Sequence, residues 1–128
     1  MQIDDILNFW FHGAEPSQWF QKDLAFDEMI KDRFSFIHQA ANCCELFTWR
    51  SSAKGRLAEI IVLDQFSRNI FRNTRKAFAS DPLALALAQQ AVVVGDDKKL
   101  NQIERNFLYM PYMHSESLAI HQVATQLY

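Results

Sequence analysis

A chain of 128 residues with 49% apolar residues and a formal net charge of −2 can bury one core and is too apolar for disorder. Three glycines and three prolines are too few for the turns of an all-β fold. Acids and bases are mixed without the basic stripe that nucleic acid needs, and no apolar run approaches the roughly 20 residues that cross a bilayer.

Asp4 and Asp5 precede Ile6, Leu7, Phe9, Trp10 and Phe11. This predicts a short first helix with acids at its positive end, closed by Gly13 and Pro16. Trp19-Phe20 is expected to fold back onto the core. From Leu24 to about Cys44, apolar residues recur in steps of three and four, which marks an amphipathic helix. Ser51 or Ser52 can cap the next helix, with Gly55 in its first turns, and that helix runs through Leu57 to about Arg72. Asp81-Pro82 predicts a capped start with proline at the first helical position. The Ala- and Leu-rich stretch that follows stops at Gly95, and its small residues should let a neighbouring helix approach closely. Asn101 and Glu104 match a reciprocal capping pattern, opening a helix expected to end or kink at Met110-Pro111. Ser115 is read as the cap of a last helix. The sum is an all-α fold of about six helices, one domain over residues 1–128.

The Leu57–Arg72 segment is apolar nearly all round, with only an arc near Glu59 expected to be wet. A helix of that kind lies centrally. Asp64 and Arg68 project into the same sector as Leu57, Ile60, Ile61 and Phe71, and a buried charge requires a partner. They stand four apart with the acid first, the favourable order for a pair. Gln65 and Asn69 form a second row beside them, and Arg72 extends the first. Two readings stand open. Asp64 and Arg68 can neutralise each other structurally, or Arg68 and Arg72 can face a cleft and bind a carboxylate or phosphate.

His114-Ser115-Glu116 is a second polar cluster after Pro111. It reads as a helix start, or as part of the same cleft, with His114 available for proton transfer. His114 and His121 are too few for zinc, and no metal-binding, phosphate-loop or nucleophile-elbow motif is present, so neither metal nor cofactor is expected. The adjacent Cys43 and Cys44 suit no structural staple. The N-terminus lacks a signal-peptide pattern, and the expected location is cytoplasmic.

Ile6-Leu7-Asn8-Phe9-Trp10-Phe11, Trp19-Phe20 with Phe26-Asp27, Leu63-Asp64-Gln65-Phe66-Ser67-Arg68-Asn69-Ile70-Phe71-Arg72, Ala77-Phe78-Ala79-Ser80-Asp81 and Glu104-Arg105-Asn106-Phe107-Leu108-Tyr109-Met110-Pro111 with His114-Ser115-Glu116 occur in this order. Together they resemble an uncharacterised bacterial family with a tetratricopeptide-repeat-like fold. The resemblance implies antiparallel helical hairpins in a superhelical array. It also implies further C-terminal helices in relatives, and proline where this chain has Ser67. It supplies no activity.

The function expected is a binding module for a protein, peptide or small acidic ligand in an inter-helix cleft. Arg68, Arg72, Asn69 and Arg105 would hold the acidic group, beside Asp64, Gln65, His114 and Glu116, with aromatic walls from Trp10, Phe66 or Tyr109. Two alternatives are a hydrolase-like enzyme, in which His114 works with Glu116 or Asp64 and with Arg68, and a homo-oligomeric scaffold.

Overall fold

A computed structural model describes residues 1–128. The elements are helical throughout: α1 (Ile3–Asn8), α2 (Pro16–Phe20), α3 (Leu24–Asn42), α4 (Ala53–Ile60), α5 (Ser67–Ile70), α6 (Asp81–Val93), α7 (Gln102–His114) and α8 (Leu118–Leu127). Two π-helical stretches interrupt the α pattern. Phe9–Gly13 prolongs α1, and Ile61–Phe66 joins α4 to α5 in one continuous rod. No helix is long and apolar enough to cross a membrane.

The rod from α4 to α5 is central, as its all-round apolar pattern requires. α1, α6 and α7 lie against α4, and α3 lies along α5 and the π-helical stretch. Ile60, Ile61, Val62, Leu63 and Phe66 are wholly buried. Burial of such side chains contributes about 1.5–3 kcal/mol each, so this segment anchors the core. The arrangement is helices wrapped round one rod rather than repeats that touch only their neighbours. Ala84, Ala88 and Ala91 are also wholly buried, and their short side chains let α6 come close to α4 and α7.

Local sequence signals set most helix starts. Asp23 Oδ1 accepts from the Phe26 amide at 3.0 Å, and Ser52 Oγ from the Gly55 amide at 3.0 Å. Asn101 and Glu104 cap each other reciprocally at 2.9 and 3.0 Å. Gly95 ends α6 at a φ of 79°, the left-handed conformation that glycine adopts without strain.

Gly55 has a stronger requirement than its early place in the helix suggests. A Cβ there would lie 1.9 Å from the Trp49 carbonyl oxygen. The absent side chain lets the 3₁₀ turn Phe47–Ser51 close onto α4. That turn delivers Arg50 to Glu59, which it grips with two hydrogen bonds of 2.8 Å. Glu59, expected to be wet, is therefore only 1% exposed.

Three boundaries differ from the sequence reading. Asp81 is the first residue of α6 rather than its cap, and its carboxylate is drawn to Arg68. α7 continues through Pro111 to His114. Proline there removes one hydrogen bond near the end of the helix, and the buried neighbours Leu108 and Tyr112 hold the last turn in place. α8 begins later than expected and is capped by Ser117, whose Oγ accepts from Ile120 at 3.4 Å. Cys43 and Cys44 are exposed free thiols at the end of α3.

Candidate functional site

The π-helical stretch Ile61–Phe66 carries Asp64 and Gln65, and the first turns after it carry Arg68, Asn69 and Arg72. π-helical turns occur mostly as single-turn insertions and are frequent at functional sites. Here the insertion sets two acidic–basic clusters at the mouth of a surface cleft.

In the first cluster, Asp64 is wholly buried. Its Oδ2 accepts from Gln65 Nε2 at 2.8 Å, and its Oδ1 lies 2.8 Å from His114 Nδ1. Arg68 Nη1 donates to the Asp64 backbone oxygen at 2.7 Å and is 3.5 Å from Oδ1. The same guanidinium makes a two-pronged pair with Asp81 at 2.9 and 3.0 Å, and lies over the Phe78 ring at 5.4 Å. The expected Asp64–Arg68 pair thus exists, but Asp81 is the stronger partner of Arg68.

In the second cluster, Asp27 of α3 takes two hydrogen bonds from Arg72 and one from Asn69. Arg72 Nε reaches Oδ2 at 2.5 Å, while Arg72 Nη2 and Asn69 Nδ2 both reach Oδ1, at 3.0 and 2.9 Å. The hydrogen bonds to Asp27 hold the Arg72 guanidinium above its ordinary pKa, against the opposing effect of burial. The sequence reading carried Asp27 in a family motif but placed it on the polar side of α3 and not among the site residues, whereas it is buried. A signal was present: Asp27, Ile30, Phe34, Ile37 and Ala41 follow the steps of three and four that mark the buried face of α3.

Between the clusters lies a cleft of about 520 Å³. Gln65, Arg68, Asn69, Arg72 and His114 line it, with Trp19, Phe20, Met110, Met113 and Tyr128 as its apolar wall. Two further hollows meet it at Arg68. One lies toward Arg75 and Phe78, the other toward Asp81, Pro82, Ser115 and Glu116. His114 borders both the main cleft and the Glu116 hollow. The structure therefore brings Asp64, Gln65, Arg68, Asn69, Arg72 and His114 together, with Glu116 at the edge.

Arg105 does not join them. It lies on α7 beside Tyr109 and lines none of the three hollows. The expected walls are also corrected. Trp10 and Phe66 are wholly buried core residues that meet each other edge to face, and the Tyr109 hydroxyl is turned away to donate to Asp97 at 2.7 Å. Trp19 occupies the wall because its indole N–H donates to the Trp10 carbonyl at 2.9 Å. Tyr128 joins it by donating its hydroxyl to the Asn106 carbonyl at 2.9 Å, and burial pushes its pKa up to about 12.

A carboxylate can only accept hydrogen bonds, so His114 Nδ1 donates to Asp64. This fixes the tautomer of the neutral ring and leaves Nε2 as the free nitrogen. Burial of Asp64 makes the pair a positioned imidazole of the kind used in proton transfer, but the ring makes no other hydrogen bond to the protein. Elsewhere, no group of three His, Cys, Asp or Glu side chains is arranged to hold a metal ion. His121 is engaged with the Ser115 carbonyl.

Comparison with known proteins extends the pattern across the chain. Among solved structures, the chain is similar to a protein of unknown function from Agrobacterium tumefaciens, with 42% identity and a TM-score of 0.93. The match covers 98% of this chain and 70% of that one. No curated protein matches the sequence. A family described as "Bacterial protein of unknown function" matches residues 6–128, nearly the whole chain, which therefore belongs to that family, DUF924.

Proposed function

We propose that the cleft beside Arg68 and Arg72 binds a small molecule that carries an acidic group on an apolar body. One observation carries this reading: Arg72 spends Nε and Nη2 on Asp27 and leaves Nη1 without a protein partner at a cleft walled by Trp19, Phe20 and Met113. A guanidinium held in place by a buried carboxylate is pre-oriented, so little side-chain freedom is lost when a second acid docks. The volume suits a small ligand better than a folded partner.

A ligand bound only by the folded state raises the unfolding temperature. 3-Phenylpropionate, an acid on an aromatic body, is expected to raise it in the wild type and to lose that effect in Arg72→Gln. The reading fails if 3-phenylpropionate and other small carboxylates and phosphates leave the transition unmoved. It fails equally if the shift survives intact in Arg72→Gln.

The His114–Asp64 hydrogen bond favours a second reading, in which the bound molecule undergoes acid–base chemistry at His114 Nε2. Turnover of an acid-bearing ester by the wild type, abolished in His114→Gln, is the expected sign. Equal rates in the two proteins would remove this reading and leave the binding site standing.

A further inference from the structure

We infer that the cleft selects a zwitterion: an ammonium and a carboxylate side by side on an apolar body, the chemistry of a free amino acid with a large apolar side chain. The inference rests on the binding cleft proposed above and deepens it.

The starting point is the orientation of two carboxamides. Gln65 and Asn69 are only 7% and 8% exposed, and each faces a carboxylate. An ionised carboxylate offers no donor, so the N–H₂ end of each amide must turn toward it. Gln65 Nε2 is thereby committed to Asp64 and to the Met110 sulfur, and Asn69 Nδ2 to Asp27. The carbonyl oxygens are forced to the opposite side. Neither oxygen has a protein partner, neither is sealed from solvent, and both residues line the cleft. His114 adds a third polar atom, because Nδ1 faces Asp64 and Nε2 is left without a protein partner.

The floor of the cleft is thus rich in acceptors, and a ligand that brings only an acid leaves them unanswered. Formal charge points the same way. Arg68 and Arg72 face three carboxylates, Asp27, Asp64 and Asp81, so the guanidinium groups alone do not balance the acids. An ammonium answers both the charge and the acceptors.

The acid retains its place as well. Asn69 Nδ2 and Arg72 Nη2 converge on the same oxygen of Asp27, at 2.9 and 3.0 Å. Both residues line the cleft, so an acceptor, Asn69 Oδ1, and a cationic donor, Arg72 Nη1, are left over on neighbouring side chains held by one carboxylate. Such a pair answers an ammonium and a carboxylate on one ligand. The side chain would then lie against Trp19, Phe20, Met110 and Met113.

Three probes that share one aromatic body test this by calorimetric titration at pH 7.5: L-phenylalanine, 3-phenylpropionate without the amine, and phenethylamine without the carboxylate. L-Phenylalanine should bind at least about tenfold more tightly than either of the others, the size expected for one hydrogen bond involving a charged group. Gln65→Met keeps the volume and removes the acceptor together with the donor to Asp64. It should weaken L-phenylalanine about tenfold more than it weakens 3-phenylpropionate, with circular dichroism checking that the variant is folded, and equal weakening of the two would overturn the role of the acceptor. Equal affinity for L-phenylalanine and 3-phenylpropionate would overturn the zwitterion and leave the acidic-ligand cleft intact. Phenethylamine binding as tightly as L-phenylalanine would overturn it by removing the carboxylate. No binding of any probe would remove both the inference and the cleft reading beneath it.

Discussion

The central rod carries an acid–arginine cluster on each of two sides, and the two differ in how far their partners are saturated. On one side, Glu59 meets Arg50 in a two-pronged pair of 2.8 Å bonds, 1% exposed at the acid and closed over by the Phe47–Ser51 turn. Neither residue lines the cleft or the two hollows that meet it, and both carboxylate oxygens are used. On the other side, Asp64 and Asp27 are as well supplied with donors, yet the groups that supply them have spare valences. Gln65 and Asn69 leave their carbonyl oxygens free, Arg72 its Nη1 and His114 its Nε2, all at one cleft. Buried charge is common to both sides. They differ in whether the partners of the charge are saturated, and the proposed binding cleft rests on that difference.

The comparison can be broken most forcefully at Glu59. Arg50→Ala leaves an unpaired carboxylate in the core, and urea unfolding should show a loss of about 3–5 kcal/mol. Arg72→Gln should cost about half as much, since Asn69 still donates to Asp27 and the cleft admits water. Similar losses in the two variants would mean that both clusters are structural. Gly55→Ala attacks the closed side without touching a charge. Its Cβ would displace the Trp49 carbonyl and loosen the turn that holds Arg50, at a cost of about 2 kcal/mol, with no effect on ligand binding at the cleft.

A pH experiment sharpens the contrast at a second contact between α3 and α5. His38 is buried, with Nε2 2.7 Å from Ser67 Oγ, and the Ser67 hydroxyl itself donates to the Leu63 carbonyl at 2.5 Å. Burial lowers the His38 pKa, so the folded state resists a proton that the unfolded chain accepts below about 6.5. The unfolded state then binds more protons, and stability rises with pH. The contribution of His38 is fully present above that value and is lost as pH falls toward the folded pKa. Between pH 7.5 and 5.5 the wild type should lose more stability than His38→Gln, measured by urea midpoints. The smallest effect is expected at Cys44, which sits at a φ of 59° after α3 where glycine is unstrained. Cys44→Gly should raise stability by up to about 1 kcal/mol.

The fold class was legible because it follows from periodicity. The steps of three and four in α3, the Ala-rich face of α6 and the capping pair Asn101–Glu104 are local signals that the folded chain keeps. The central position of the rod was legible for the same reason. What escaped was long-range pairing. Glu59 reads as a wet residue until a turn held tight by Gly55 brings Arg50 over it. Asp81 reads as a cap until Arg68, 13 residues earlier, captures its carboxylate. The break expected at Pro111 was a local rule overridden by tertiary packing, and its failure matters to the site because continuation of α7 brings His114 to Asp64. Five polar residues of the site, Asp64, Gln65, Arg68, Asn69 and Arg72, were visible as a strip on one helix, and His114 as part of a second cluster. Their aromatic wall was not, since Trp19, Phe20 and Tyr128 reach it from distant parts of the chain.

The most direct test of the distinction between a saturated and an unsaturated cluster is one NMR titration of the wild-type protein with L-phenylalanine, following side-chain signals. The carboxamide resonances of Gln65 and Asn69 and the indole N–H of Trp19 should shift together with one saturation curve, while the Arg50 Nε–H resonance at Glu59 stays fixed. Fixed Gln65 and Asn69 resonances at saturating L-phenylalanine, or shifts confined to the Arg50–Glu59 side, would contradict the account.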